Sequence, residues 1–393
     1  MKIMSINAGS SSLKFSLFEM DTKTCIASGY FERVTLDGSF YTIKYNGEKI
    51  KEEVDMPNHT VAVEVLLDRL ISLGIIKDLK EIEGVGHRLA HGGDKYKTSA
   101  LITDQLMEDF KGYTELAPLH VPANILGVEA VKKVLPDVPM VGVFDTAFHQ
   151  TLDKTKYIYP VPYEWYRDYG IRKYGFHGTS YRYISNQIPR LFGKDKYKAI
   201  ICHLGSGASI AAVKDGVCID TSMGFTPVVG VMMGTRSGDI DPSIIPFIME
   251  KAGKSMDEVM NDLNKKSGFL GLSEYASDFR DIYQGVQDGN EQCKLAFDKF
   301  VQTVVNYIAT YYVELEGADV ICFTAGLGEN ASEAREAIME KLSCLGVKLD
   351  RQANQVRGEE IKISSEDSSI MCFVVPTNEE LMIAEDTLSL IGE

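Results

Sequence analysis

The sequence predicts an α/β protein of two domains, with duplicated halves that face each other across a cleft. At 393 residues the chain is long enough for about two domains. Two Gly- and Ser-rich loops, at residues 7–15 (NAGSSSLKF) and 203–211 (HLGSGASIA), lie half a chain apart. Each loop follows an apolar run and leads into a strand, a turn and another strand, which predicts the same supersecondary unit twice. A chance likeness between two Gly/Ser hairpins is the alternative.

Composition narrows the function classes. The chain is 45% hydrophobic and 25% charged, with a formal net charge of −15, which argues against nucleic acid or an anionic membrane as a partner. Its 7 cysteines occur singly and without a CxxC motif, as is typical of reduced thiols in the cytosol. No apolar run approaches membrane-spanning length, and the N-terminus lacks an extended apolar segment. We therefore expect a cytoplasmic protein.

The first half contains a predicted helix and two predicted strands that lead to polar residues. Residues 59–74 carry apolar side chains at helical spacing. Residues 82–93 form a strand that runs into a Gly-rich loop containing Arg88, which is either an anion clamp or a surface arginine. Residues 140–144 form a buried strand followed directly by Asp145. An acid at the carboxyl end of such a strand lies where α/β sheets place their sites.

Histidines in the first half have weaker signals. His87 and His91 are four residues apart, which on a helix would suit zinc. The surrounding glycines argue against a helix, and no glutamate follows His87 as it does in HExxH, so zinc is disfavoured. His120 lies in a rigid apolar connection, where a lone histidine is more often structural.

The second half opens with the segment that carries most of the expected chemistry. Residues 199–202 form a buried strand, and an Asp215-Gly216 turn between apolar runs predicts a hairpin. Residues 234–242 form a loop that holds Arg236 and two aspartates. Bare glycine amides, a fixed guanidinium and nearby acids are the parts of a phosphate-handling site. Phe176 and His177 lie between two glycines. They either line a site or belong to a loop that packs on the core.

The C-terminal third predicts one long helix and two further strands. A helix over residues 293–312 carries an apolar stripe that indicates core or a subunit interface. A strand at residues 320–323 leads into a loop at 324–330, then a helix from about Ser332 whose amides suit phosphate or a nucleotide. A last strand spans residues 370–375.

The last helix is predicted to begin with a capping box formed by Thr377 and Glu380. Glu379 in that first turn is then free to contact a hydrated Mg²⁺.

One motif points elsewhere. Residues 326–331 (GLGENA) match the GxGxxA dinucleotide fingerprint between a strand and a helix, with Asp350 at a suitable distance. An oxidoreductase is therefore an alternative, although it leaves the other glycine loops without a role. The chain contains no GxxxxGK[ST], which excludes a P-loop kinase.

With these residues assembled, the chain resembles the acetate kinase family along its whole length. The motifs that carry the resemblance, in order, are NAGSSSLK at 7–14, HR..HGG at 87–93, FDTAFH at 144–149, YGFHGTS at 174–180, DTSMGFTP..G.MMGTRSGDIDP at 220–242, FTAGLGEN at 323–330 and TNEEL at 377–381. The resemblance implies reversible transfer of the ATP γ-phosphoryl group to acetate, with Mg²⁺ (Mn²⁺ as a substitute), in a homodimer.

The implied fold is the two-domain actin-like/sugar-kinase (ribonuclease H-like) fold, with duplicated βββαβαβα cores around an interdomain cleft. The expected acyl-substrate lobe comprises residues 1–148 plus 382–393. The expected nucleotide lobe, which would also carry the dimer interface, comprises residues 149–381.

The resemblance also implies roles for individual residues. Acetate is ionised at pH 7, so alignment and charge neutralisation replace a general base. The implied catalytic residues are the clamps Arg88 and Arg236, the transition-state donor His177, its assistant His120, and the Mg²⁺-placing Asp145. The implied metal contacts are Asn7 and Glu379. The implied nucleotide contacts are Ser10, Ser12, Lys14, His203, Leu204, Gly205, Ser206, Gly207, Asp278, Phe279, Arg280, Gly326, Leu327, Gly328 and Asn330.

By the same resemblance, the acyl pocket consists of Ala90, Leu119, Phe176 and Pro227. Ala90 stands where the family pattern has Val, so we expect a wider slot that accepts propionate nearly as well as acetate. Ser206 stands in place of an Asn. Tyr181 stands in place of a His, with no catalytic consequence expected. Gly326 and Leu327 would leave the adenosine pocket open, which favours ATP over pyrophosphate as the phosphoryl donor.

Three rivals remain at this point: a propionate- or butyrate-preferring kinase, an actin-like or chaperone ATPase, and the oxidoreductase. Dependence of ATP turnover on a short carboxylic acid distinguishes a carboxylate kinase from the ATPase and the oxidoreductase. An assay across acetate, propionate and butyrate identifies the preferred acid.

Overall fold

Two sheets with the same core strand order form the frames of two units in the computed structural model, which describes residues 1–392. The first unit comprises Met1–Phe148 and the C-terminal segment from Asn378, and the second comprises His149–Thr377. The sequence-based boundary assigns residues 378–381 to the second lobe. In the structure they belong to the first, because the last helix begins at Glu379 and packs on the first sheet.

The first unit contains an eight-stranded sheet in the order β5-β4-β3-β2-β1-β6-β8-β7. Its strands are β1 (Lys2–Gly9), β2 (Ser12–Glu19), β3 (Thr24–Glu32), β4 (Phe40–Tyr45), β5 (Glu48–Glu53), β6 (Ile82–Leu89), β7 (Ala100–Leu101) and β8 (Met140–Phe144). Its helices are α1 (His59–Ser72), α2 (Asp104–Gly112), α3 (Val121–Val134) and, from the C-terminal segment, α14 (Glu379–Ile391). Strand β1 pairs antiparallel with β2 and parallel with β6, which in turn pairs parallel with β8.

Apolar strands with helices on both faces hold this sheet together. Helices α1 and α3 share one core cluster with β1, β2 and β6, whereas α14 packs on the opposite face against β8. The glycines of β6 permit the close approach of α14. A Cβ on Gly86 would lie 2.5 Å from Ile383 and 2.3 Å from Thr387. This packing explains the GVG pattern that argued against a helix at His87.

The second unit repeats this plan in a six-stranded sheet, ordered β11-β10-β9-β12-β14-β13. Its strands are β9 (Lys198–Leu204), β10 (Ala208–Lys214), β11 (Val217–Thr221), β12 (Val320–Thr324), β13 (Ile361–Lys362) and β14 (Met371–Val374). Its helices are α4 (Lys154–Tyr157), α5 (Tyr163–Tyr169), α6 (Gly178–Phe192), α7 (Ile244–Ala252), α8 (Met256–Lys265), α9 (Gly268–Ser273), α10 (Phe279–Gln287), α11 (Glu291–Glu314), α12 (Ala325–Asn330) and α13 (Ser332–Lys341).

The predicted duplication is confirmed by strand order and direction. The order β3-β2-β1-β6-β8 in the first unit matches β11-β10-β9-β12-β14 in the second, with antiparallel pairing in the first part and parallel pairing in the second. The Asp215-Gly216 turn joins β10 to β11 with both φ angles positive, 51° and 82°, as a tight hairpin turn requires. Chance likeness between the two hairpins is therefore excluded.

Local predictions in the second unit differ from the structure at two places. The predicted loop at residues 324–330 is instead helix α12, which begins directly after β12. The apolar stripe expected on the long helix α11 ends at Tyr312, but Tyr311 is the buried tyrosine, because a step of three residues from Ile308 keeps it on the same face. Within residues 1–392, the structure has no helix with the length and apolar character to cross a bilayer.

The predicted capping box at the start of α14 is wrong. Asn378 is the N-cap, and its side chain accepts a hydrogen bond from Leu381 N at 3.0 Å. Thr377 uses its groups elsewhere: its hydroxyl lies 2.9 Å from Ser180 Oγ, and its N–H donates to Glu329.

Candidate functional site

The first unit contains a cavity of about 350 Å³ where β1 and β6 end. Strand β1 contributes its last residues and β6 contributes Arg88, since parallel strands meet at one edge of the sheet. The cavity is lined by Asn7, Ala8, Gly9, Ser12, Leu13, Lys14, Tyr30, Glu32, Arg88, Ala90, His120 and Asn124. Polar and charged groups therefore share this small space with the apolar side chains of Ala8, Leu13 and Ala90.

Arg88 is fixed by a two-pronged ion pair with Asp145. Its Nε lies 3.0 and 3.1 Å from the two carboxylate oxygens, and its Nη2 lies 2.6 Å from Oδ2. The Asp145 side chain is 4% exposed, whereas that of Arg88 is 29% exposed. Attraction to Asp145 raises the pKa of Arg88 above its ordinary value. The guanidinium is thus held rigidly with part of its surface open to the cavity.

Asn124, a residue that the motifs do not reveal, braces the cavity wall. Its Oδ1 accepts from Ala90 N at 2.9 Å, and its Nδ2 donates to Ala8 O at 2.9 Å. Gly127, one turn later on α3, lies against Ala8, where a Cβ would come within 2.4 Å of the alanine methyl. These contacts keep the ends of β1 and β6 in register.

Acidic residues at the start of α14 lie close to this cation. Burial, together with the charges of Asp145 and Glu380, raises the pKa of Glu379 to about 7, although Arg88 opposes the shift. Lys14 forms a salt bridge with Glu380. Carboxylates that repel each other in this way are relieved by a bound cation.

The donors available for a divalent cation here are oxygens. Within residues 1–392, no three histidines, cysteines or acids cluster as a metal cage. Glu379, Asp145 and the Asn7 amide fit an ion that keeps several waters and takes its remaining ligands from phosphates, which is the usual state of Mg²⁺.

In the second unit, His177 and Arg236 converge on the glycine loop that follows β9. A Cβ placed on Gly207 would lie 3.4 Å from Arg236 Nη1 and 3.5 Å from His177 Nε2. Arg236 donates to the Pro227 carbonyl at 3.3 Å, and within the described part of the chain no carboxylate forms a salt bridge with it. Its half-buried position lowers its pKa because burial penalises the charge. An uncompensated guanidinium beside an imidazole is an anion site.

Backbone and ring contacts fix His177. It precedes α6 in the left-handed region, with φ 58°, and its side chain makes no capping hydrogen bond to the helix. Its ring stacks on His203 at a centroid distance of 4.1 Å and an interplanar angle of 20°. His203 Nδ1 lies 2.8 Å from Ser180 Oγ. His203 therefore supports His177 rather than lining the cavity described next.

A larger cavity of about 560 Å³ lies in the second unit. It is lined by Gly205, Ser206, Gly234, Phe269, Ser277, Asp278, Phe279, Arg280, Tyr283, Gly326, Leu327, Asn330, Ala331, Glu333 and Arg357. Glycine backbone lies at one side, and aromatic rings and charged side chains lie at the other. This combination suits the phosphates and the base of a nucleotide.

Two internal pairs shape this cavity. Asp278 caps α10 by accepting from Arg280 N at 2.8 Å, and it binds the Arg280 guanidinium at 3.0 and 2.7 Å. These contacts lower the pKa of Asp278. Arg335, fully buried, donates to Gly328 O at 2.9 Å and to Asn354 Oδ1 at 2.8 Å. It ties the end of α12 to the segment that carries Arg357.

Helix α12 begins with an unusual backbone. Ala325 has φ 64°, a strained value for a residue with a side chain. Glu329 compensates: its Oε1 accepts from Ala325 N at 2.8 Å and from Thr377 N at 3.0 Å. The carboxylate thereby holds the turn that presents Gly326 to the cavity.

Most of the predicted site residues line one of the two cavities, and some lie outside both. The cavity of the second unit gathers Gly205, Ser206, Asp278, Phe279, Arg280, Gly326, Leu327 and Asn330. The first-unit cavity gathers Asn7, Ser12, Lys14, Arg88, Ala90 and His120, with Asp145 and Glu379 beside Arg88. His203, Leu204, Gly207, Gly328, Ser10 and Leu119 line neither cavity.

Two acyl-pocket predictions meet contrasting surroundings. Phe176 is 6% exposed and belongs to the main core of the second unit, whereas Leu119 is 63% exposed. Residues that the sequence analysis missed include Glu329, Glu333, Arg335, Arg357 and Asn124. Glu329 lies inside the quoted FTAGLGEN motif, but the other four lie outside every motif.

Sequence and structure comparisons match nearly the whole chain to acetate kinases. A sequence model described as "Acetokinase family" matches residues 2–385. A curated "Acetate kinase" of Bacillus subtilis strain 168 is 53% identical over 99% of both chains. The crystal structure of Porphyromonas gingivalis acetate kinase superposes with a TM-score of 0.95 at 44% identity, covering 99% of both chains. A propionate kinase from Francisella tularensis subsp. tularensis SCHU S4 gives 0.94 at 40% identity, also covering 99% of both.

Proposed function

Because this chain belongs to the acetokinase family, we propose that it catalyses reversible Mg²⁺-dependent transfer of the γ-phosphoryl group of ATP to acetate. The products are acetyl phosphate and ADP, and transfer is direct and in line. The single observation that carries this proposal is the pairing of Arg236 with His177 at the Gly207 backbone, with no carboxylate neutralising the guanidinium within residues 1–392.

The acid needs no proton removed. Carboxylic acids titrate near 4–5, so acetate arrives as the nucleophile at neutral pH. The work left to the protein is to hold the anion and to offset charge on the transferring group. Arg88, fixed by Asp145, binds the carboxylate in the first-unit cavity, and His120 supplies a polar contact there.

The second unit binds the nucleotide and the group in transfer. The glycine backbone of residues 205–207 lies along the phosphates, and Gly326 leaves room for the nucleoside, since a Cβ there meets nothing within 4 Å. Arg236 and the Nε2–H of His177 bind equatorial phosphoryl oxygens, and these contacts strengthen as negative charge spreads over those oxygens.

Glu379, Asp145 and Asn7 would hold Mg²⁺, with Mn²⁺ as a substitute. When bound, the ion would supply positive charge that offsets the negative charge of the phosphates. Burial, with the charges of Asp145 and Glu380, raises the pKa of Glu379, so a bound cation would stabilise its ionised form.

Propionate is a second substrate in this proposal. Ala90 presents only a methyl group to the first-unit cavity, where the family pattern has a valine. One methylene is worth roughly 1 kcal/mol in such pockets, so the wider slot compensates for the longer acid. The propionate kinase of similar structure supports this reading.

The protein acts as a cytoplasmic homodimer in this proposal. Helix α7 has no buried residue although its sequence is apolar, and Ile244 and Phe247 are 49% and 60% exposed. A second copy of the chain that covers this helix would remove the apolar surface from water. The 7 cysteines are all free thiols and 5 of them are buried, as suits a reducing compartment.

A steady-state assay of ADP release tests the function. We expect turnover with acetate or propionate, and no turnover with glucose, with NAD or without an acid. Incubation with γ-labelled ATP and no acid should leave the protein unlabelled if transfer is direct. A value of kcat/KM for propionate more than about 100-fold below that for acetate would refute the proposal that Ala90 widens the acyl pocket for propionate.

Site variants give a second test. Arg236→Ala should lower kcat by about 10²- to 10³-fold, because a donor to the transferring group is lost. Arg190→Ala is the matched control, since this exposed arginine pairs with Glu360 on the surface of the same unit. Equal kcat in the two variants would remove Arg236 from the proposed role.

A further inference from the structure

The imidazole of His177 is backed by a serine and a tyrosine. Its Nδ1 lies 2.8 Å from Ser209 Oγ, and the same Oγ lies 2.5 Å from the Tyr181 hydroxyl. Tyr181 follows His177 by one turn of α6, and its N–H donates to the His177 carbonyl at 3.1 Å. Ser209 lies on β10. Both side chains are fully buried, so bulk water does not compete for these contacts.

We propose that Tyr181 is a positioning residue that fixes the tautomer of His177; this inference rests on the function proposed above. The Tyr181 hydroxyl donates to Ser209 Oγ, and the Ser209 hydroxyl donates to Nδ1 of His177. Because Nδ1 then accepts, the neutral ring carries its proton on Nε2. Nε2 and Arg236 Nη1 both lie beside the backbone of Gly207. A phosphoryl oxygen bound there would therefore meet an N–H donor on the His177 ring.

This direction of the relay lets Nε2 donate to a phosphoryl oxygen, as an anion site requires. A phenol and a serine hydroxyl each have one proton, and burial keeps the phenol protonated by raising its pKa well above the ordinary value. A second cation next to the half-buried Arg236 would be costly, which favours a neutral imidazole. The opposite relay would place the proton on Nδ1 and leave a lone pair on Nε2 facing the phosphoryl oxygens. Tyr181 thus has a catalytic consequence in this proposal, contrary to the expectation from the sequence.

Histidine ¹⁵N NMR of the full-length protein tests the tautomer without relying on activity. A spectrum of His177→Gln identifies the His177 signals by difference. We expect the Nε2–H form in the wild type and a mixture of tautomers in Tyr181→Phe. A wild-type ring with its proton on Nδ1 overturns the proposal.

Kinetics give the second readout. Tyr181→Phe should lower kcat about tenfold while the KM values for acid and ATP change less than about twofold, since the ring stays in place but donates less often. Ser209→Ala should lower kcat at least as much. The double variant should match the worse single variant, because the two residues act through one relay. The proposal is overturned if the double variant loses kcat by the product of the two single effects, or if Tyr181→Phe leaves kcat unchanged.

Tyr197→Phe is the matched control. This buried tyrosine of the same unit bonds Ser185 at 2.6 Å and does not reach His177, so its variant should keep kcat and the His177 signals. If Tyr181→Phe does not fold, as judged by circular dichroism, Ser209→Ala decides by the same two readouts. Absence of acid-dependent turnover in the wild type would refute the proposed function, and the NMR result would still decide the relay.

Discussion

Replacement of Gly207 by alanine separates the fold from the catalytic site. The new methyl would lie 3.4 Å from Arg236 Nη1 and 3.5 Å from His177 Nε2, which are ordinary contact distances, so nothing has to move. The backbone of Gly207 does not occupy the positive-φ region. Alanine at a compatible glycine position stabilises a protein by about 0.4–1 kcal/mol by restricting the unfolded chain. We therefore expect an unchanged or slightly raised Tm.

Activity should respond in the opposite way. A phosphoryl oxygen must come to about 2.8 Å from these nitrogens to accept their hydrogen bonds, and the methyl competes for that space. Loss of one such donor costs about 10²- to 10³-fold in kcat. Acid-dependent ADP release and thermal unfolding, measured on the same preparation, give both quantities.

The control for Gly207→Ala is Gly112→Ala, at the end of α2. A Cβ at Gly112 meets nothing within 4 Å, and its φ of −62° is helical, so both activity and folding should be retained. If Gly207→Ala keeps kcat/KM within about threefold of the wild type, no phosphoryl oxygen binds between Arg236 and His177.

Three further variants test other parts of the site. Gly326→Val should raise the KM for ATP about tenfold or more with an unchanged Tm, because the open side of α12 would fill; an unchanged KM would place the nucleotide elsewhere. Ala90→Val should lower the propionate-to-acetate ratio of kcat/KM about tenfold, measured with both acids, and an unchanged ratio would exclude Ala90 from the acyl slot. In Glu379→Gln, the Mg²⁺ concentration required for activity should rise. Since the folded-state pKa of about 7 exceeds the ordinary 4.5, ionisation destabilises the metal-free fold as pH rises through that window. The variant should therefore be more stable than the wild type in EDTA at pH 8, by about 1–3 kcal/mol, with little difference near pH 4.5; lower stability at pH 8 would contradict the shift.

The sequence supports the frame of the fold because its signals there are local. The Asp215-Gly216 turn and the alternation of apolar runs specify the hairpin without help from distant residues. The repeat of that unit at both glycine loops then predicts the matching strand orders. The end of the second unit depends on distant partners instead. Thr377 does not cap α14 because its N–H and hydroxyl bind Glu329 and Ser180, far away in sequence.

The candidate site shows the same division. The sequence identified glycines and charged residues inside motifs as site residues, because few functions suit those residue types in such patterns. Arg335 and Asn124 were missed because their role is to hold other residues, and only the folded packing brings Gly328 or Ala90 to them. Helix α12 was predicted as a loop because glycines disfavour helices, whereas the Glu329 carboxylate stabilises its first turn.

The central claim is that a phosphoryl group passes directly to a carboxylate under the control of Arg236 and His177. Simultaneous measurement of ADP and of acyl phosphate, the latter trapped as the hydroxamate, tests this claim most directly. With ATP, Mg²⁺ and acetate, the wild type should form the two products in equal amounts, and Arg236→Gln should form almost none of either. ADP release without acyl phosphate, or equal yields from both proteins, would contradict it.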